Sequence, residues 1–238
     1  MGGQEAGPAH ENWARIQADI DSCQDCPRLG GDLLATPRRQ PSRPPRITER
    51  PVLFVSEAPP PDGGFWAPRP VEDDLRENLF GILRELGVSL LLDDHAVETL
   101  NDFLQKGFFL VQALKWPLRE SARTLRRGER DLIEHTVESH LRRELEALRP
   151  RAIVRLGKVA CYALALCFPD SAFTFEPSAR LESVRGQRFS VTLAAGDQAD
   201  IYATALPVRR NMRERPRILE EIRLVIRDHW DAASRHIM

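Results

Sequence analysis

Lysine is nearly missing from this chain: of its 34 basic residues only Lys106, Lys115 and Lys158 are lysine, and the rest are arginine. The basic residues are matched by 35 acidic ones, for a formal net charge of -1. That balance excludes a partner held by whole-chain charge and leaves local arginine patches as the route to a polyanion. Cysteine is also scarce. Four cysteines (Cys23, Cys26, Cys161, Cys167) in 238 residues exclude a disulfide-built scaffold. With no secretory pattern at the N-terminus, a reducing cytoplasmic compartment is expected, where a Cys-x-x-Cys pair points to metal or redox chemistry. No apolar run approaches the roughly 20 residues of a membrane span, so no membrane partner is expected. What is present is ordinary for a folded domain. Hydrophobic residues make up 42% and charged residues 29%, and the length suits one domain with a short appendage.

Trp13, Ile16 and Ile20 fall on one face of a helix over 11–22, which delivers the chain to Cys23 and Cys26. The stretch 36–51, TPRRQPSRPPRITERP, holds five prolines and five arginines against Glu49 alone, and reads as an extended basic connector. Val52-Leu53-Phe54-Val55 is a continuous apolar run ending in SEAPPPDGG, the pattern of a buried parallel strand entering a loop. The pattern returns. Phe80, Leu83 and Leu86 mark a helix, 108–111 a strand, 129–148 a charged helix, 152–156 a strand and 159–168 a helix. Residues 189–193 and 201–206 read as a hairpin arm and a fourth parallel strand, and a helix over 216–230 follows. Alternating strands and helices imply a mainly parallel sheet covered on both faces. Ligands of such sheets bind beyond the carboxyl ends of the strands, here loops 56–66, 112–119, 157–159 and 206–215.

Four pieces of sequence, in order, carry a resemblance. They are Cys23-x-x-Cys26-Pro27 with Leu29, Ser56-Glu57-Ala58-Pro59-Pro60 after the first strand, LRPRAIVRLGK over 148–158, and Thr204-Ala205-Leu206-Pro207. Together they resemble the uracil-DNA glycosylase superfamily, nearest to its iron–sulfur class, over roughly residues 13–225. The resemblance implies an α/β fold, a three-layer α/β/α sandwich with a central four-stranded mainly parallel sheet. It implies residues 1–51 as an N-terminal helix, Cys-x-x-Cys and connector, 52–230 as the glycosylase-like domain, and 231–238 as a tail. The family's base-reading asparagine falls on Gln112, the Lys-Cys pair after it on Lys115-Trp116, and the histidine of the last motif on Leu206. Of the four cluster cysteines only Cys23 and Cys26 remain, the other positions being Trp116 and Val137, so no cofactor is expected and a four-thiolate iron–sulfur cluster least of all.

On this reading the function is hydrolysis of the N-glycosidic bond of a deaminated base in DNA; the alternative is a catalytically inactive DNA-binding or damage-sensing protein of the same fold. Glu57, with Asp62 in reserve, is the acidic group, although a glutamate at a strand end also serves to cap a helix or pair with arginine. Gln112 offers the donor and acceptor that complement the edge of a uracil-like base, or it merely caps its strand. Phe65 or Trp66 supplies a stacking face or plugs the core. Lys115, Lys158, Arg209, Arg210, Asn211 and Arg213 are the DNA contacts, with Val208 and Met212 as apolar wedges, and the arginines at 38, 39, 43, 46, 119, 123, 126 and 127 extend a phosphate track. The partner is single- or double-stranded DNA and the chain is expected to be a monomer. Cys23 and Cys26 are the metal candidates; His135 and His140 would complete a Cys2His2 spacing. On a continuous α-helix those histidines stand about 140° apart, so no metal is expected unless the helix breaks between them.

Overall fold

The computed structural model of the chain describes residues 8–23, 50–60, 64–66, 73–91, 96–117 and 127–230. Residues 36–49 of the basic connector, Cys26, Asp62 and the tail over 231–238 lie outside the described residues, as do Arg119, Arg123 and Arg126.

Three apolar runs form the centre of the sheet: β1 (Val52–Ser56), β2 (Phe108–Gln112) and β3 (Ala152–Leu156), each buried at every position. Full burial without alternation is the mark of strands covered on both faces. β4 (Arg188–Thr192) and β5 (Gln198–Thr204) complete a five-stranded sheet of order β2-β1-β3-β5-β4. The first four strands in that order run parallel, with Ser56 opposite Gln112 and Leu156 opposite Thr204 at their carboxyl ends.

Strand side chains alternate between two cores. Leu53, Val55, Phe109, Val111 and Ile153 pack with helices α1 (Pro8–Ser22), α4 (Arg127–Thr136), α5 (Arg142–Leu148) and α6 (Lys158–Cys167). Val52, Phe54, Phe108, Leu110 and Val154 pack with α2 (Asp74–Glu85), α3 (Ala96–Gln105) and α7 (Arg215–Val225). Each fully buried large side chain contributes roughly 1.5–3 kcal/mol. Trp13 docks α1 by setting its ring edge-on to Phe109 at 5.5 Å. One residue interrupts the apolar pattern of β3. Arg155 is buried, its guanidinium lies 3.6 Å over the Phe173 ring, and its Nε donates to the Tyr202 carbonyl at 3.2 Å. Burial lowers its pKa to about 10.

The sheet differs from the expected four strands. The arm over 188–192 pairs antiparallel with β5, Ser190 opposite Asp200, and becomes a fifth strand at the edge. Gly196, at φ +81°, closes the turn, its N–H donating to the Leu193 carbonyl at 2.8 Å. The edge position is visible in the arm's exposure: among its residues only Val191 is buried.

The charged helix expected over 129–148 is also interrupted. Between α4 and α5 the residues Val137–Leu141 form one π-helical turn, in which the Arg142 N–H donates to the Val137 carbonyl five residues back. Thr136, just before it, sends its hydroxyl to the Leu132 carbonyl at 2.9 Å, the back-bonding that loosens a helix. A second π-turn, Ile226–Trp230, ends the last helix.

Candidate functional site

The loops at the carboxyl ends of the parallel strands enclose a cavity of about 600 Å³, a size that takes a small ligand. Ser56 to Pro60 come from the end of β1, Gln112 from β2, and Leu206, Val208, Arg209 and Arg210 from the segment after β5; Phe65 and the start of α2 complete the wall. Backbone bonds beyond the strands hold this rim. The Ala113 N–H donates to the Ser56 carbonyl at 2.8 Å and the Leu114 N–H to the Glu57 carbonyl at 2.9 Å, so Glu57 sits on a continuation of the β1–β2 ladder.

The loop after β1 is held by close packing. Gly64 has φ +65°, and a Cβ there would stand 2.4 Å from Pro60 Cδ and 3.6 Å from Asp73 Oδ2, so no other residue fits. Asp73, nearly buried, caps α2 by accepting the Arg76 N–H at 2.7 Å, and the Arg76 guanidinium reaches back to the Phe65 carbonyl at 3.3 Å.

The cavity joins a polar side to an apolar one. Gln112 is 6% exposed and lines the cavity, with no side-chain hydrogen bond among the described residues. The Ser56 hydroxyl is buried without a partner among the described residues. A buried hydroxyl left in this way costs about 1–3 kcal/mol. Glu57 is half-buried beside them. Phe65, Leu206 and the prolines form the apolar wall, and Arg209 and Arg210 are exposed at the rim. The Arg209 Nε lies 4.0 Å from Asp74 Oδ1 with the guanidinium 87% exposed, too solvated a pair to fix it.

The structure therefore brings together Glu57, Gln112, Phe65, Arg209 and Arg210, and it takes other expected residues away. Trp66 does not line the cavity. Its ring packs against Phe65, Phe103 and Phe109, and its Nε1 donates to the Leu110 carbonyl at 3.1 Å, so it is a core residue. Lys115 is no DNA contact: it is buried and paired with the equally buried Glu144, and its ammonium also donates to the Gln112 carbonyl. Lys158 begins α6 and stands outside the cavity wall. The Asn211 side chain donates to the Leu206 carbonyl at 2.9 Å, bracing the loop rather than facing solvent, and Arg213 is exposed on the short 3-10 turn Arg209–Glu214 away from the cavity. Asp73 and Asp74 were not anticipated. An Asp-Asp pair opening an amphipathic helix is the signal that marks them.

A second polar group lies between the end of α1 and the α4–α5 junction. The donor atoms of Cys23, His135 and His140 all lie within 4.8 Å of one another. Cys23 Sγ is 3.9 Å from His135 Nε2, and the two imidazole rings are 6.4 Å apart, centre to centre. Burial and the nearby Lys115 cation push the His140 pKa down to about 4, so its ring is neutral at physiological pH. The expected separation of the histidines around the helix does not hold here, because the π-turn returns residues five apart to nearly one face. A four-thiolate iron–sulfur cluster does not fit the side chains present. Trp116 and Val137 are buried in the core, Cys161 and Cys167 belong to α6 and do not join the group, and the donors assembled among the described residues are one sulfur and two imidazoles.

Among the described residues no helix is long and apolar enough to cross a membrane. No protein-family model and no curated protein sequence matches the chain.

Proposed function

We propose that the chain is a DNA base glycosylase with a three-layer α/β/α architecture of the uracil-DNA glycosylase kind, hydrolysing the N-glycosidic bond of a deaminated base. The observation that carries this reading is Gln112 at the end of β2, lining one cavity with Glu57 under a rim of exposed arginine, its side chain without a hydrogen bond among the described residues. A glycosylase must take its nucleotide out of the stack and hold the base by its edge. The carboxamide of Gln112 offers one acceptor and one donor group, the complement of an N–H and C=O pair on uracil or hypoxanthine. Phe65 and Leu206 supply the apolar wall for the base, while Arg209 and Arg210 meet the flanking phosphates.

In the reaction the bond between C1′ and the base nitrogen breaks with its electron pair leaving on the base. Water then adds to C1′ and gives up a proton. Glu57 is suited both to stabilising the positive sugar and to accepting that proton. Leu206 offers no hydrogen-bond donor to the departing base, and a donor of that kind is worth about 2.7–4 kcal/mol, so the expected rate is low. The same residue favours the second reading, a damage-sensing protein that binds the base without cleaving it.

The test is alkaline strand scission of labelled single- and double-stranded oligonucleotides containing uracil, hypoxanthine or xanthine, at low salt, with Glu57→Gln and Gln112→Ala beside the parent. Cleavage at one lesion that either substitution abolishes supports the glycosylase; tight lesion binding without cleavage supports the sensor. Absence of both overturns both readings.

A further inference from the structure

We infer that Cys23, His135 and His140 bind a single divalent ion of the zinc type, through one thiolate and two imidazoles, and that this ion fastens the end of α1 to the α4–α5 junction. Three observations converge on it. First, the three donors come from two segments separated by more than a hundred residues yet lie within 4.8 Å of one another. A tetrahedral zinc ion, with bonds of about 2.3 Å to sulfur and 2.0–2.1 Å to nitrogen, sets its sulfur and nitrogen ligands about 3.6 Å apart. The 3.9 Å between Cys23 Sγ and His135 Nε2 is within a few tenths of an ångström of that spacing.

Second, His140 is 3% exposed and neither ring nitrogen has a hydrogen-bond partner among the described residues. A buried imidazole satisfied by protein would donate from one nitrogen and accept at the other. The neighbouring Trp116 ring, 6.0 Å away, offers an apolar wall, so a core role leaves both nitrogens unexplained. A metal ion accounts for one of them directly.

Third, the π-turn Val137–Leu141 puts both histidines on the side of Cys23, at the cost of a regular helix. Such turns are rare and concentrate at functional sites. The donor set selects the ion: sulfur with imidazole suits zinc and related late divalent metals, and it lacks the four thiolates of an iron–sulfur cluster. The consequence is mechanical. α1 buries Trp13, Ile16 and Ile20 against the sheet, and an ion at its C-terminal end adds binding free energy to that docking.

The experiment uses the full chain, freed of metal and then titrated with Zn²⁺ or Co²⁺ alone, with metal content measured by mass spectrometry and the cobalt form by absorption. The expected result is stoichiometric uptake, with near-ultraviolet thiolate-to-cobalt charge transfer and the intense visible bands of tetrahedral coordination. Cys23→Ser removes the charge-transfer band. His140→Gln weakens binding by at least about 100-fold, because residues that merely orient a ligand are already worth about 10–100-fold. The parent spectrum decides the matter even if a variant fails to fold. Weak octahedral binding without the thiolate band overturns the proposal, as does uptake unchanged in folded Cys23 and His140 variants, or iron with sulfide in place of one ion. None of these readouts depends on base release, so the glycosylase reading stands or falls separately.

Discussion

The strand-end cavity and the Cys23, His135 and His140 group are both polar islands in an apolar interior, but they are built in opposite ways. The cavity takes its walls from the segments after β1 and β5, the end of β2 and the start of α2, and opens at a rim of solvated arginine. The Cys/His group takes its donors from the end of one helix and one turn of another, beside the closed Lys115–Glu144 pair. The first arrangement sets donors and acceptors such as Gln112 and Ser56 along the wall of an open cavity. The second sets donors within 4.8 Å of one another. Loops on a rigid sheet build the one and an irregular helix builds the other.

The largest expected effect breaks the closed region. Lys115→Leu removes the buried cation that faces the buried Glu144 carboxylate and costs about 3–5 kcal/mol, read by chemical denaturation; a loss below 1 kcal/mol would show that solvent reaches the pair. Next, Leu206→His sharpens the cavity by adding a donor to its wall. Base release should rise by about 100-fold to 1,000-fold, equivalent to 2.7–4 kcal/mol, in single-turnover assays, whereas an unchanged rate would separate the Leu206 side chain from the chemistry.

Gly64→Ala comes third, at about 1–3 kcal/mol, because the added Cβ meets the Pro60 ring and the backbone stays at φ +65°. Its thermal unfolding should fall, and its lesion binding should fall with it as the loop shifts. The smallest effect concerns the thiols of α6. Burial pushes Cys161 up to about 11 and Cys167 up to about 12, so both remain protonated at pH 8 and become nucleophilic only as the pH nears those values. Iodoacetamide at pH 8 should label neither in the folded chain and both after denaturation.

The same contrast explains how much was legible in the sequence. Val52 to Val55, Phe108 to Val111 and Ala152 to Leu156 announce buried parallel strands by composition, and parallel topology then dictates which ends carry a site. Glu57, Gln112 and Arg209 follow from that rule. Trp66 and Lys115 do not, because their partners, the Leu110 carbonyl and Glu144, are set by tertiary packing far along the chain. The edge strand at 188–192 depends on a turn closed by Gly196, and its alternating Arg188, Ser190 and Thr192 have no apolar signature. The metal candidate was hidden by a regular helix assumed across 129–148, where one π-turn after Thr136 reverses the geometric objection to pairing His135 with His140.

Release of a damaged base by the strand-end cavity is the proposal on which the rest depends. It is tested most directly by mass detection of the free base from a uracil-containing oligonucleotide incubated with the parent chain or with Glu57→Gln. The parent should release base with matching abasic sites, and the variant should do so at least about 100-fold more slowly. Equal release by both proteins would contradict the assignment of Glu57, and no release of uracil, hypoxanthine or xanthine would contradict the claim itself.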